Sequence, residues 1–423
     1  MQNVQEKAVK KIFISIILML AIPAFGFASC ADNAEAPYNP DNVDIPSEFT
    51  IQMTTAIPSQ YLSAATEQGT VEVVEYESKD YTSAGLPVTH KPAYVYLPYD
   101  YNPAQKYDII YLMHGWSGVA EGYFGRPNNQ QMKHLFDNMI QHGLCKPFIA
   151  VSPTWDKDNR SKGWSESVAE IAVFYNEYEN ELIPAVEGRY STYAETTDRA
   201  GIIASRDHRA FGGFSLGAVT TWWVFEHTFD LQRYFLPMSG DSWHIRMYGG
   251  QYEPETTAAF LASVVNASDF SGDNFHVWHA VGTNDNVFYQ THNQALACMN
   301  LTNTFTPANF SYHQKEDGYH DFNAVYEFFY NALPSFFPID QSTSIENVIG
   351  KENKVSAFFN STNQLIVNNL PNGTSNLAIY SVAGVLVHKT VANSNSATVN
   401  MNNISKGVYI AMVNGQAVKF VRP

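Results

Sequence analysis

His208-Arg209-Ala210-Phe211-Gly212-Gly213-Phe214-Ser215-Leu216-Gly217 opens as a short β-rich run and leads into a helical run over 218–229. Its centre, Gly213 to Gly217, fits G-x-S-x-G, in which a serine sits on a strained turn between a strand and a helix. A β-carbon at Gly213 or Gly217 would collide with the neighbouring strand and helix, so the turn needs both glycines. The Ser215 hydroxyl then projects above a sheet edge. The pentapeptide alone is only moderately specific, since Gly and Ser are common in loops. Strand, turn and helix in the required order raise its weight.

A serine hydroxyl is a weak nucleophile until a base takes its proton, and with this turn the chain order is Ser, then Asp or Glu, then His. His320, in Gly318-Tyr319-His320-Asp321-Phe322, follows the last strand candidate of this region and precedes a helix. Its alternative role is that of an ordinary surface or core histidine, as most of the 13 His must be; position and order favour the base. For the acid, Asp285 in Gly282-Thr283-Asn284-Asp285 competes with Asp241 in Ser239-Gly240-Asp241. The acid usually follows the strand just before the one that delivers the histidine, which favours Asp285 and leaves Asp241 as a loop cap or part of a substrate cleft. Asp321 adjoins His320, but neighbouring side chains on an extended loop point apart. Oxyanion donors are expected from the backbone N–H groups of Trp116, in the loop His114-Gly115-Trp116-Ser117-Gly118, and of Leu216. His114 itself reads as structural.

Around these motifs, β-rich runs at 70–77, 93–98, 108–113, 147–152, 209–213, 234–238, 275–281 and 309–314 alternate with helical stretches. The helices are expected at 129–142 and 168–187, after Ser215, near Thr256, after Asn286 and after Phe322. This is the pattern of a mostly parallel sheet covered on both faces, an α/β-hydrolase fold, expected over 49–337.

With 423 residues, 45% of them hydrophobic, the chain has room for a large core and a smaller appendage. A formal net charge of −16, with no basic run to offset it, argues against a nucleic-acid partner. Lys7, Lys10 and Lys11 precede an apolar stretch over 12–27, so 1–30 reads as a signal peptide and the protein as exported. Phe27-Ala28-Ser29-Cys30 resembles a bacterial lipoprotein box, with Phe where Leu is usual; cleavage near Ala28 by ordinary signal peptidase is the other reading. A tether is expected over 31–48. Cys145 and Cys298 are too few for a disulfide framework and read as buried apolar residues. With no Cys/His cluster at zinc spacing and no His-Glu-x-x-His, neither a catalytic metal nor a cofactor is indicated.

Five blocks carry a family resemblance: Tyr111 to Gly118, Ser205 to Gly217, Pro237 to Trp243, Gly282 to Asp285 and Gly318 to Asn323. In this order they resemble the esterase D-like carbohydrate esterases, especially microbial feruloyl esterases of xylan degradation. The resemblance covers about 71–337. It implies a serine esterase with Ser215, Asp285 and His320 as triad and Trp116 and Leu216 as oxyanion hole. The implied partner is feruloylated or acetylated arabinoxylan, or its oligosaccharides. Related members cleave feruloyl, acetyl and other esters, and some are acyltransferases, so these readings stay open. A catalytically dead fold that only binds polysaccharide would predict a broken triad, and none is visible. Trp116, Trp155, Trp164 and Trp243 lie on loops near the expected cleft, where aromatic faces can hold a phenolic ring or a sugar. With Asp241 they complete the candidate substrate-binding set.

Past Phe337 the composition changes. A polar linker over 338–353 leads to short apolar runs separated by Asn, Gly and Ser over 354–423, as in a small β-sandwich. Asn369-Leu-Pro-Asn-Gly373, Ile379 to Gly384 and Lys406 to Ile410 resemble the sorting domain of type IX secretion in Bacteroidetes. A carbohydrate-binding module is the rival, but this stretch contains no Trp for a sugar platform. The resemblance implies the secretion machinery as a partner and a secreted or outer-membrane-anchored protein. A lipidated Cys30 would anchor the same chain a second time.

Overall fold

The computed structural model describes residues 44–160, 162–339, 356–359, 364–370, 373–381, 386–401, 404–405, 407–414 and 416–422. The expected signal segment with Cys30, most of the tether and most of the second linker lie outside the described residues. The chain divides into two compact units between Pro338 and Ile339.

The first unit is built on nine strands: β1 (Gln52–Met53), β2 (Thr70–Lys79), β3 (Val88–Leu97), β4 (Asp108–Met113), β5 (Phe148–Ser152), β6 (Arg209–Phe214), β7 (Tyr234–Met238), β8 (His276–Gly282) and β9 (Phe310–Lys315). They pair in the order β1-β9-β8-β7-β6-β4-β5-β3-β2. Pairing is parallel from β1 to β5 across the sheet, and β3 and β2 join antiparallel at the far edge. Every residue of β4, β5 and β6 is buried, as expected of parallel strands covered on both faces.

The strand period of two distributes those side chains between two cores. Ile109, Tyr111 and Met113 enter one, and Ile110 and Leu112 the other. The first core packs α6 (Leu216–Thr228), α8 (Pro254–Ala267) and α9 (Phe288–Met299); the second packs α1 (Gln131–Gln141) and α10 (Phe322–Phe336).

The helix expected over 168–187 is several elements. It begins at Trp164 as α2 (Trp164–Ile171), breaks at Ala172 and Val173, and resumes as α3 (Phe174–Glu177), a π turn (Tyr178–Leu182) and α4 (Ile183–Glu187). Pro184 has no N–H to return to the Asn180 carbonyl, and the wider turn before it closes with the Ile183 N–H donating to the Tyr178 carbonyl. The short helix α5 (Arg199–Ala204) and the edge strand β1 go beyond the expected elements; Asp198 caps α5 by accepting from the Gly201 N–H at 2.9 Å. Among the described residues the remaining α-helix of this unit is α7 (Gly249–Tyr252).

Charge is buried at the foot of the central strand. Arg209 is 1% exposed and its guanidinium grips Glu187 with two hydrogen bonds, Nε to Oε1 at 2.6 Å and Nη2 to Oε2 at 2.8 Å. The same guanidinium donates to the Ile202 and Leu231 carbonyls and to Ser205 Oγ. Cys145 and Cys298 are free and buried, and burial pushes the Cys145 thiol up to about 12.

The second unit is all β. One antiparallel sheet joins β10 (Ser356–Phe359), β11 (Gln364–Asn368) and β14 (Ser396–Asn400); the other orders β13 (Leu386–Ala392), β12 (Ser375–Ser381), β15 (Gly407–Val413) and β16 (Gln416–Arg422). Leu365, Val367, Leu377, Ile379, Val399, Ala411 and Val413 fill a core of its own. Among the described residues no helix is long and apolar enough to cross a membrane.

Candidate active site

Three strand ends converge on Ser215. The residue takes φ +62° and ψ −121°, a conformation that costs a non-glycine residue on the order of 1–3 kcal/mol. The packing around it enforces this turn: a β-carbon on Gly217 would stand 2.1 Å from the Met113 carbonyl oxygen, and one on Gly213 would stand 2.5 Å from the Gly217 oxygen. We expect Gly217→Ala to push α6 off β4, costing upward of about 3 kcal/mol. Thermal unfolding should show a lowered midpoint; a variant that melts like the wild type would contradict the close approach.

His320 arrives from the loop after β9, and Asp321 beside it caps α10 by accepting from the Asn323 and Ala324 N–H groups. Asp321 is thus occupied with the helix. The His320 ring lies against Phe214, centroids 4.5 Å apart, with Nε2 2.9 Å from Ser215 Oγ. Its Nδ1 lies 2.8 and 3.0 Å from the two oxygens of Asp285. The Asp285 side chain, three residues past β8, is fully buried and also accepts from the Val287 N–H at 2.9 Å. With Nδ1–H donating to the carboxylate, Nε2 is left as the acceptor for the serine proton. This arrangement can deprotonate a hydroxyl and stabilise the imidazolium that results.

The loop after β4 lies against the elbow. A β-carbon on Gly115 would sit 3.1 Å from Ser215 Cβ, so only glycine lets the backbone come this close without displacement. Leu216 is the first residue of α6, where no intrahelical carbonyl can reach its N–H. Gly115, the residue before Trp116, and Leu216 thus adjoin the serine from two elements. His114 holds this loop: Nδ1 contacts the Gly115 carbonyl at 2.9 Å and Nε2 contacts Thr154 Oγ1 at 2.8 Å. Burial pushes His114 down to about 4, so it is neutral at pH 7 and structural.

Three of the four tryptophans meet. Trp116 and Trp164 stand edge to face at 5.6 Å, Trp164 and Trp243 are 5.9 Å apart, and Tyr248 adds an edge to Trp243 at 5.2 Å. Trp116 is 50% exposed and Trp164 36%, whereas Trp243 is 9% exposed, so Trp116 and Trp164 present the open face of an aromatic wall that Trp243 backs. The Trp116 indole N–H donates to the Lys162 carbonyl at 3.2 Å, and the buried Lys162 ammonium is held by Glu170 and Asp156.

Two residues of the candidate substrate set take other places. Trp155 is buried with its ring 4.0 Å from His114, and its carbonyl accepts from the Lys91 ammonium, which also pairs with Glu177. It supports the loop after β4 from beneath. Asp241 is 2% exposed, and its oxygens accept from the Trp243 indole N–H and the Gly250 N–H, each at 2.8 Å. Burial pushes its carboxyl up to about 7. Asp241 acts on the cleft only by fixing Trp243. Tyr248, at φ +61°, was without a sequence signal beyond its nearness to Trp243.

The esterase family model matches residues 89–336, and the secretion system C-terminal sorting domain matches 360–422. The chain is 35% identical over 286 residues to endo-1,4-beta-xylanase Y of Acetivibrio thermocellus, covering 66% of this chain and 24% of that protein. It thus spans about a quarter of the length of that curated relative. A serine-to-alanine mutant of the feruloyl esterase module from Clostridium thermocellum, complexed with sinapinate, superposes with a TM-score of 0.57 at 32% identity. That match covers 70% of this chain and 95% of the other.

Proposed function

The chain belongs to the esterase family and is a hydrolase of carboxylic esters, and from that premise we propose that it releases hydroxycinnamic acids from feruloylated plant xylan through an acyl-enzyme on Ser215. The observation that carries the aromatic acyl group is the cluster of Trp116, Trp164, Trp243 and Tyr248, which Trp116 joins to the loop that packs on the elbow. A planar phenolic ring gains contact area and edge-to-face geometry there, which an acetyl group has no ring to gain. The relative's sinapinate complex supports an aromatic acid in this fold.

In the proposed reaction Ser215 Oγ attacks the ester carbonyl carbon while its proton passes to His320 Nε2, and Asp285 stabilises the imidazolium. The tetrahedral oxyanion takes hydrogen bonds from the Trp116 and Leu216 N–H groups. On collapse the bond to the sugar oxygen breaks and that oxygen takes the proton from His320. Water, deprotonated by His320, then attacks the acyl-serine; the acid leaves and Ser215 recovers its proton.

The sorting domain supports export and secretion. In this reading 1–30 is the signal peptide, the second unit addresses the type IX machinery, and lipidation of Cys30 would anchor the enzyme at the cell surface.

The test is hydrolysis of methyl ferulate against p-nitrophenyl acetate. Methyl ferulate should be preferred, and Trp243→Ala should raise its KM by about 10-fold, the scale of a lost aromatic contact, with little change for the acetate. Cleavage of acetate alone would move the substrate to acetylated xylan and leave the esterase intact. An equal effect of Trp243→Ala on both esters would remove the aromatic wall from the argument.

A further inference from the structure

Among the described residues, one group of three has ligand atoms close enough to share a metal ion: Glu226, His227 and His244, all within 4.8 Å of one another. Glu226 and His227 end α6, and His244 comes from the segment between β7 and α7. The 16 residues between the two histidines match no zinc motif, so the group exists only in the fold.

The Glu226 side chain is 1% exposed. Its Oε1 accepts from Ser242 Oγ, while Oε2 is buried and accepts no hydrogen bond of good geometry. That oxygen faces His244 Nδ1 as an ion pair at 3.4 Å, a separation that matches the edge of a tetrahedron with metal–ligand bonds of about 2.1 Å. Both histidine rings are fixed by aromatic neighbours: His227 stacks on Tyr175 at 3.9 Å and His244 on Phe260 at 3.6 Å. Both histidines are exposed, so an ion has an open path in, while the carboxylate that would balance its charge is already buried and oriented by Ser242.

We propose that Glu226 Oε2, His227 and His244 bind a divalent transition metal, zinc first, with water completing the coordination. Two imidazoles and one carboxylate suit zinc and the later first-row ions over calcium or magnesium, which take all-oxygen sites. The site stands apart from Ser215. Its position gives it a role: Ser242 and His244 flank Trp243, so zinc would pin to α6 the segment that carries one ring of the aromatic wall.

The experiment is calorimetric titration of zinc chloride into the untagged full-length protein after treatment with chelator. One zinc per chain is expected. Since loss of even an outer-shell partner weakens metal sites 10- to 100-fold, His227→Ala and His244→Ala should each weaken binding by at least about tenfold. His90→Ala, an exposed histidine on β3, should bind as the wild type does. Cobalt(II) should give visible d–d absorption in the wild type and lose it in the first two variants, and zinc should raise the unfolding midpoint of the wild type but not theirs. Absence of saturable binding in the wild type, or unchanged affinity in both histidine variants, would overturn the proposal.

Discussion

Ser215→Ala is expected to lower kcat on both methyl ferulate and p-nitrophenyl acetate by about 10⁴-fold or more, with KM changed by less than a few-fold. The serine oxygen is 2.9 Å from His320 Nε2, and the histidine is held from behind by a fully buried carboxylate. In the proposed reaction, removing the oxygen removes the atom that forms the acyl bond. It leaves the His320–Asp285 pair, the Gly115 loop and the tryptophans in place, so substrate still binds. Alanine must still adopt φ +62°, so the melting temperature should move little. Steady-state kinetics with both esters checks this. A residual rate above about one hundredth of the wild type would place the nucleophile elsewhere, because in serine hydrolases the remaining oxyanion stabilisation gives far less.

The second large effect is on stability. Glu187→Ala should destabilise the first unit by about 3–5 kcal/mol, the range for removing one partner of a buried ion pair. Arg209, at 1% exposure, would then hold an uncompensated charge among the Ile202 and Leu231 carbonyls and the Tyr111 and Tyr178 rings. For a unit of this size the midpoint of thermal unfolding should fall by on the order of 10 °C. The double replacement Glu187→Leu with Arg209→Met should recover most of the loss, since apolar residues of similar volume tolerate such sites. Chemical denaturation of the three proteins decides it: a Glu187→Ala variant within about 1 kcal/mol of the wild type would mean that water reaches the guanidinium.

What could be read in the sequence was what is local or ordered along the chain. The Ser215 elbow is a pentapeptide whose geometry is set by its own glycines, strand-by-strand order singled out Asp285 over Asp241, and the opposed directions of adjacent side chains set Asp321 aside. Their atoms do meet. Burial was harder to read, because it depends on what distant segments lay over a residue. Trp155 and Trp164 stand nine positions apart in one polar stretch, yet the first is buried on His114 and the second, at the start of α2, opens to solvent. Asp241 looked like a cleft residue because it follows a strand end, but the Gly250 and Trp243 N–H groups that engage it come from the next turn of chain. The break at Ala172 and Val173 left no mark in a run whose apolar periodicity continues across it. The cluster of Glu226, His227 and His244 was invisible for the same reason: β7 has to turn back on α6 before the three share a neighbourhood.

The two sulfurs of the first unit bear on how this protein survives its journey. An exported chain passes through surroundings in which exposed thiols oxidise. Cys145, just before β5, and Cys298, inside α9, are sealed once those elements pack, and burial keeps the Cys145 thiol in its unreactive protonated form. The folded unit therefore gains nothing from an oxidant and has nothing to lose to a reductant. Its endurance outside the cell rests on packing, hydrogen bonds and buried ion pairs such as Arg209–Glu187 rather than on a bond between these two sulfurs, and the interval in which it is chemically vulnerable is the one before the core closes.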